Sequence, residues 1–155
     1  MTGPHDAHAP GDPTPDAPAL VGMPRVLERV EGGMALLIGL AMWAALGYGW
    51  GWLALLLFLP DLSAAGCLAG PRAGAVAYNL AHTYAVALLA VGAGWVANGY
   101  QGVEATWLGV AAVFVAHIGL DRMLGYGLKY PTRFSDTHLG RIGRRATRAK
   151  PGAQP

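Results

Sequence analysis

Five ionisable residues lie in parts of the sequence that are otherwise almost entirely apolar. They are Glu31, Asp61, His82, His117 and Asp121. Charged or titratable side chains are costly inside a lipid bilayer, so those found there usually face the protein interior and mark a functional site. Two imidazoles with several carboxylates are a ligand set typical of Zn²⁺ or a similar divalent ion. The chemistry that these residue types suggest is therefore metal binding at membrane depth.

The distances of these residues from the predicted helix ends place three of them at one level. At about 1.5 Å per residue, Asp61, His82 and His117 lie roughly 13 to 15 Å from the helix ends on one side of the membrane. Half of the hydrocarbon core is about 15 Å thick. Asp121 follows His117 by four residues and so shares its helix face. The predicted metal ligands are Asp61, His82, His117 and Asp121, with Glu31 as a further ligand or as the general base toward a metal-bound water.

Other polar side chains are predicted to support this cluster. Asn79 and His82 are three residues apart on one helix face, with Tyr78 beside them. Asp136 and His138 either fold back over the cytoplasmic opening or cap a short turn, and the second interpretation is slightly favoured. The predicted supporting residues are Tyr78, Asn79, Arg122, Asp136 and His138.

The same residues are open to interpretations that involve no metal and no catalysis. A network of histidine and carboxylate side chains can hold a helix bundle together, or can serve as a proton relay or a small transporter. A third interpretation is a b-type haem protein, because two histidines on different helices at one depth are what bis-imidazole ligation needs. The neighbouring carboxylates of Asp61 and Asp121 argue against haem, since an apolar haem pocket gains little from them.

The composition indicates a membrane protein. Of its 155 residues, 54% are hydrophobic and 13% are charged, whereas a soluble domain carries about a quarter charged residues. No charged residue occurs in 32–60, 73–103 or 105–120. A helix that spans the bilayer needs about 20 apolar residues, so the sequence supplies enough apolar length for several spans.

The expected fold is all-α, a polytopic bundle of four transmembrane helices within residues 23–130. Pro60 lies in the second helix, where it removes a backbone hydrogen bond and clashes with the preceding turn, so this helix should break there. Asp61 is then placed to cap the half-helix that follows, with help from Ser63. The four predicted helices cover 24–46, 52–68, 73–96 and 103–127.

The two ends of the chain are predicted to be polar tails on the cytoplasmic side. Residues 1–22 are proline-rich and lack the basic start and apolar run of a signal peptide, which predicts a disordered tail. Lys and Arg occur at the start of the first helix, in the second connection and after the fourth helix, all on one side of four spans. Residues 131–155 form a basic tail. We expect that tail to contact anionic lipid headgroups rather than nucleic acid, since no nucleic-acid-binding module is recognisable.

Most of the chain resembles a known family. The motifs that carry the resemblance are Leu59-Pro60-Asp61-Leu62-Ser63, Ala69-Gly70-Pro71-Arg72, Tyr78-Asn79-Leu80-Ala81-His82-Thr83-Tyr84, Ala116-His117-Ile118-Gly119-Leu120-Asp121-Arg122 and Gly125-Tyr126-Gly127-Leu128-Lys129-Tyr130-Pro131, with Phe134 and Asp136-Thr137-His138-Leu139-Gly140 after them. With these motifs, the stretch from Val26 to Gly143 is similar to small bacterial membrane proteins catalogued as domain of unknown function 4260. This resemblance implies a multi-pass protein of the bacterial inner membrane and carries no activity.

A weaker similarity concerns the order of the polar motifs. A Pro-Asp pair, then a His-Thr pair, then His and Asp four residues apart resembles the membrane-bound metal-dependent hydrolases. That resemblance implies hydrolysis of a lipid or lipid-linked substrate with a divalent metal. The chain departs from the family at the middle motif, which has two histidines in those proteins. Here only His82 is present, and Tyr78 stands where the earlier histidine would fall.

Overall fold

The structure, a computed structural model, describes residues 19–132 and 135–142 and is mostly helical. A two-residue antiparallel hairpin, β1 (Asp136–Thr137) and β2 (Gly140–Arg141), follows the helices. The helices are α1 (Met23–Ala45), α2 (Trp50–Leu56), a 3-10 helix (Pro60–Ala69), α3 (Pro71–Ala81), α4 (Tyr84–Ala97) and α5 (Ala105–Leu124).

Helix α5 is the centre of the described fold, because α1 and α4 both pack against it. The α1–α5 contact is close, and small residues make it so. A Cβ atom added to Gly39 would lie 2.6 Å from the Ala116 backbone nitrogen and 2.8 Å from the Ala112 carbonyl oxygen. Helix–helix association inside a bilayer depends on such close backbone approach, since apolar side chains gain little by leaving lipid. This contact positions the face of α5 that carries the polar residues.

The second predicted helix is interrupted where its proline predicted a break. Helix α2 ends at Leu56, residues 57–59 form a turn, and the 3-10 helix begins at Pro60. The expectation that Asp61 and Ser63 cap this segment is wrong. No side chain caps the 3-10 helix, and the buried Ser63 hydroxyl has no hydrogen-bond partner within the described residues. The Asp61 carboxylate approaches two histidines instead.

The third predicted helix, 73–96, is not continuous. The chain bends by 53° between α3 and α4, and His82 and Thr83 lie at the bend. Thr83 is extended, with φ −107° and ψ 142°, and its hydroxyl accepts a hydrogen bond from the Ala85 amide at 3.4 Å. Threonine is a favoured residue at a helix N-terminus because its hydroxyl can accept such a bond. The bend releases His82 from a helical position and turns it toward α5.

Apolar helical segments of membrane-spanning length occur twice in the described residues. Residues 50–69 and 105–124 each have the length and hydropathy of a span, and the bent pair 71–97 makes a third candidate. Helix α1 is 23 residues long, but Arg25, Glu28, Arg29 and Glu31 make its first part polar. The structure thus contains two or three candidate membrane spans, which suggests association with a membrane.

After α5 the chain folds back onto the helices. The Asn79 side chain on α3 forms two hydrogen bonds with the Lys129 backbone, at 2.9 and 2.7 Å. The Leu128 amide donates to His138 Nδ1 at 2.9 Å, and Leu139 is fully buried. Part of the region predicted as a tail therefore packs against the bundle. The predicted N-terminal tail up to residue 18 and the basic tail from residue 143 lie outside the described residues.

Candidate metal centre

Four polar side chains from three separate elements converge at one point. Asp61 comes from the 3-10 helix, His82 from the end of α3, and His117 and Asp121 from successive turns of α5. One nitrogen or oxygen atom of each residue lies within 4.8 Å of the corresponding atoms of the other three. The group joins segments that are far apart in the sequence, so its formation depends on the whole helical packing.

The distances in this cluster resemble those around a tetrahedral metal ion. The Nε2 atoms of His82 and His117 are 3.0 Å apart. Asp61 Oδ1 lies 3.5 and 3.6 Å from these two nitrogens, and Asp121 Oδ2 lies 3.7 and 3.9 Å from them. Ligands about 2.0 to 2.2 Å from a tetrahedral Zn²⁺ are about 3.3 to 3.6 Å from each other. Small side-chain movements would let all four atoms bind one ion.

Tyr78 holds two of the four side chains in place. Its backbone carbonyl accepts a hydrogen bond from His82 Nδ1 at 2.8 Å, and because a carbonyl cannot donate, His82 carries its hydrogen on Nδ1. The lone pair on Nε2 then faces the cluster, as in metal-binding histidines. The Tyr78 hydroxyl donates to Asp121 Oδ2 at 2.9 Å, and its ring stacks on the His82 ring at 3.6 Å between centroids.

Lys129 is a site residue that the sequence did not reveal. It is buried, and its Nζ atom lies 4.3 Å from the centre of the Tyr78 ring. Burial lowers the pKa of the Lys129 ammonium and outweighs the opposite effects of Cys67, Asp121 and Asp61. A lysine that follows an apolar span is ordinarily expected at the lipid–water interface. Nothing local in the sequence indicates its burial, which depends on the contacts of Asn79.

The cluster is buried on one side and open on the other. His82 and His117 are buried, whereas the Asp61 side chain is 46% exposed. Within the described residues, the polar contacts of Asp61 are those with the two histidines. A cavity of about 10 Å³ beside Tyr78, His82 and Asp121 is close to the smallest volume that holds one water molecule. Asp61 is therefore the member of the cluster that water reaches most easily.

Two other predicted site residues lie outside this group. Glu31 is exposed on α1 and does not belong to the four, so its role as general base stays a prediction. Arg122 donates to Glu28 at 2.8 Å and lies over the Tyr84 ring, 5.0 Å from its centre. Arg122 thus links α5 to α1 and α4 rather than pairing with the neighbouring Asp121.

Asp136 and His138 make contacts within the folded-back segment. Asp136 accepts hydrogen bonds from Thr132 at 2.9 Å and from Arg141 at 2.8 Å. His138 Nδ1 accepts from the Leu128 amide. These contacts stabilise a turn and a hairpin within the segment that folds back onto the helices.

The geometry of the two histidines does not favour haem. A bis-imidazole haem needs an iron and the porphyrin plane between the two rings. The Nε2 atoms of His82 and His117 are only 3.0 Å apart, within hydrogen-bond distance, and their rings are inclined by 66°. The carboxylates of Asp61 and Asp121 also occupy the space around these nitrogens.

Fold and site together define an α-helical protein with apolar, membrane-length helices and a buried histidine–carboxylate cluster. The chain belongs to the family Domain of unknown function (DUF4260), whose profile matches residues 25–142. All four residues of the cluster lie in the matched part. Comparisons with curated proteins and with solved structures gave no significant match, and the similarity to membrane-bound metal-dependent hydrolases gains no support from them.

Proposed function

We propose that this chain is a bacterial inner-membrane protein that binds one divalent metal ion, such as Zn²⁺. The proposed ligands are Asp61, His82, His117 and Asp121. The observation that carries the proposal is the set of five distances of 3.0 to 3.9 Å among histidine nitrogens and aspartate oxygens. These atoms come from three elements, and a tetrahedral ion requires similar separations.

The charge of the cluster also supports a cation. Two carboxylates close together repel each other. The Asp121 side chain is only 16% exposed, and an unpaired charge in such a largely buried place is costly. A divalent cation between Asp61 and Asp121 would balance both negative charges. Tyr78 orients His82 and Asp121 through hydrogen bonds, and residues that do so behind metal ligands typically raise metal affinity.

The proposed topology has four spans, with both ends in the cytoplasm. Helix α1, 23 residues long, extends about 34 Å, which is enough to cross a hydrocarbon core about 30 Å thick. The pair α3 and α4 would form one bent span. Lys and Arg then all lie on the cytoplasmic side, and the basic tail from residue 143 would contact anionic lipid headgroups.

The proposed activity is hydrolysis. When bound, a divalent ion of this kind acts as a Lewis acid and lowers the pKa of water to about 7. For this reaction Asp61, the half-exposed ligand, would leave the ion and open a position for water. Its free carboxylate would then accept the proton of the attacking water and return it to the leaving oxygen. His82, His117 and Asp121 would hold the ion on the buried side. Glu31 is the alternative general base, and using it would require α1 to bring this exposed residue closer.

Metal content of the purified protein tests the proposal. The full chain would be reconstituted in nanodiscs, and its metal measured by mass spectrometry before and after Zn²⁺ loading. We expect one equivalent in the unaltered protein and a loss of at least tenfold in affinity in His117→Gln and Asp61→Asn. Glu104→Gln is the matched control, because Glu104 is exposed and does not belong to the cluster. A folded protein that binds no Zn²⁺, Mn²⁺ or Co²⁺ would refute the proposal.

A metal-free polar network is the second candidate function. The observation in its favour is the 3.0 Å hydrogen bond between His82 and His117, together with the 2.9 Å bond from Tyr78 to Asp121. Such a chain of hydrogen bonds can hold helices together or relay protons. This candidate predicts that His82→Ala lowers the thermal stability of a protein that binds no metal.

A further inference from the structure

We propose that Lys129 regulates the metal centre, because its buried ammonium competes electrostatically with the divalent ion and lowers the affinity of the cluster for it. This inference rests on the proposed function, since it names a residue that tunes the same site. Lys129 belongs to the segment that folds back onto the helices after α5. An ammonium has donors and no acceptor, so Lys129 acts on the ion through its charge and not as a ligand.

The ammonium lies behind the aromatic ring that orients two of the proposed ligands. Its Nζ atom is 4.3 Å from the centre of the Tyr78 ring. His82 stacks on the same ring, with 3.6 Å between centroids and an angle of 11° between planes. His82 covers one face of the ring, so Lys129 lies on the other face. Because the Tyr78 hydroxyl donates to Asp121 Oδ2 at 2.9 Å, this one ring separates the ammonium from the proposed ion.

The positive charge of Lys129 is supported by the same carboxylates that would bind the ion. Lys129 is 6% exposed, and burial of an ammonium disfavours its charged form. The groups that favour the charge are Cys67, Asp121 and Asp61, and two of these three are proposed ligands. A divalent ion balances both carboxylates, so metal binding withdraws negative charge from the surroundings of the ammonium.

The two positive charges are close enough for their repulsion to be measured. The contacts through Tyr78 place Nζ within about 12 Å of an ion bound to Asp121. At that distance, Coulomb's law predicts that a charge of +1 lowers the affinity for a charge of +2 about threefold, even at the dielectric constant of water. Salt and water screen buried charges less than exposed ones. Removal of this charge should therefore raise the affinity for Zn²⁺ by about threefold or more.

The backbone of Lys129 connects the ammonium to the rest of the folded-back segment. Asn79, which follows Tyr78 in α3, bonds the Lys129 amide and carbonyl at 2.7 and 2.9 Å. Lys129 also forms an antiparallel bridge with Thr137 of β1. Thermodynamic linkage is reciprocal, so a docked charge that weakens metal binding is itself docked less stably when the metal is bound. Through this charge, Zn²⁺ should weaken the docking of residues 126–130.

Zn²⁺ titrations of the full chain in nanodiscs, in competition with a chromophoric chelator, test the inference. Lys129→Met removes the charge and keeps an unbranched side chain, and the two bonds from Asn79 go to the backbone, which the variant retains. We expect its Kd for Zn²⁺ to fall by about threefold or more. Lys129→Gln is a second neutral variant and should show the same fall. Lys129→Arg keeps the charge and should leave Kd within about twofold.

Arg72→Met is the matched control. It removes an exposed positive charge from α3, the helix that carries Tyr78. Water and salt screen such a charge, so the Kd for Zn²⁺ should stay within about twofold of that of the unaltered protein. An equal fall in Kd in Arg72→Met and Lys129→Met would show that net charge alone matters, and would overturn the specific role of Lys129.

Amide hydrogen exchange supplies the reciprocal measurement. For residues 126–130, the ratio of the exchange rate with Zn²⁺ to the rate without it should be about threefold higher in the unaltered protein than in Lys129→Met. A lysine with a purely structural role would change both rates by the same factor and leave this ratio unaltered. An equal ratio in the two proteins therefore contradicts the inference.

The same titrations separate this inference from the proposed function. If neither the unaltered protein nor the neutral variants bind Zn²⁺, the metal centre is refuted and the role of Lys129 with it. If the unaltered protein binds Zn²⁺, and a neutral variant that is folded by circular dichroism binds it equally or more weakly, the role of Lys129 alone is refuted.

Discussion

The contacts of Tyr78 lead to the sharpest prediction. Tyr78→Phe removes a hydroxyl that donates to Asp121 Oδ2 at 2.9 Å. The substitution keeps the ring that stacks on His82 and the carbonyl that accepts from His82 Nδ1. It therefore isolates the effect of orienting one carboxylate of the proposed site.

The expected magnitude follows from the partners of that hydroxyl. Loss of a hydrogen-bonded residue behind a metal ligand typically lowers affinity 10- to 100-fold, or about 1.4 to 2.7 kcal/mol. The hydrogen bond from the Tyr78 hydroxyl to Asp121 does not require an ion, so part of its contribution is common to the loaded and unloaded protein. We therefore expect the lower end, about a tenfold rise in Kd for Zn²⁺.

A competition titration against a chromophoric chelator in nanodiscs measures this change. Tyr100→Phe is the control, because Tyr100 is exposed in the loop after α4. The visible spectrum of the Co²⁺-loaded protein reports the ligand geometry separately. If Tyr78→Phe binds Zn²⁺ as tightly as Tyr100→Phe and gives the same Co²⁺ spectrum, Tyr78 does not position the ligands and the reasoning fails.

Two further predictions concern the packing that supports the site. Gly39→Ala should lower the free energy of unfolding by about 2 kcal/mol, because its new methyl group would meet the backbone of Ala116. Gly92→Ala, on a face with open space, should be neutral or stabilising by up to about 1 kcal/mol. Thermal melting of both variants measures the two changes in stability. Asn79→Ala should remove two hydrogen bonds to the Lys129 backbone and raise amide exchange in 126–130 at least tenfold. Unchanged exchange would show that the fold-back does not depend on Asn79.

Local rules in the sequence predicted part of the fold. The break before the 3-10 helix follows from the geometry of Pro60 alone, and the apolar helices follow from the absence of charge. The bend at Thr83 was missed because a continuous apolar run obscured a helix N-terminal signal that occupies one residue. Because about 20 apolar residues in a row are assigned to one span, a single threonine inside such a run does not divide it into two helices.

The part of the site that depends only on residue spacing along a helix could be predicted from the sequence. His117 and Asp121 share a face at a spacing of four, and depth estimates placed Asp61 and His82 beside them. The exposure of Glu31 depends on which face of α1 packs on α5. The close contacts of Gly32 and Gly39 with α5 decide which face this is. The burial of Lys129 depends on a partner 50 residues away, and no local pattern encodes such a separation.

The bend between α3 and α4 has a consequence for bilayer thickness. Helices of 11 and 14 residues measure about 16 and 21 Å, and inclined at 53° their ends lie about 34 Å apart. The unbent length would be about 37 Å, so the bend removes only about 3 Å of reach. That reach still matches a hydrocarbon core of about 30 Å without thinning the surrounding lipid. In the proposed topology, where α3 and α4 form one bent span, the non-helical His–Thr pair would then lie at mid-depth with almost no hydrophobic mismatch.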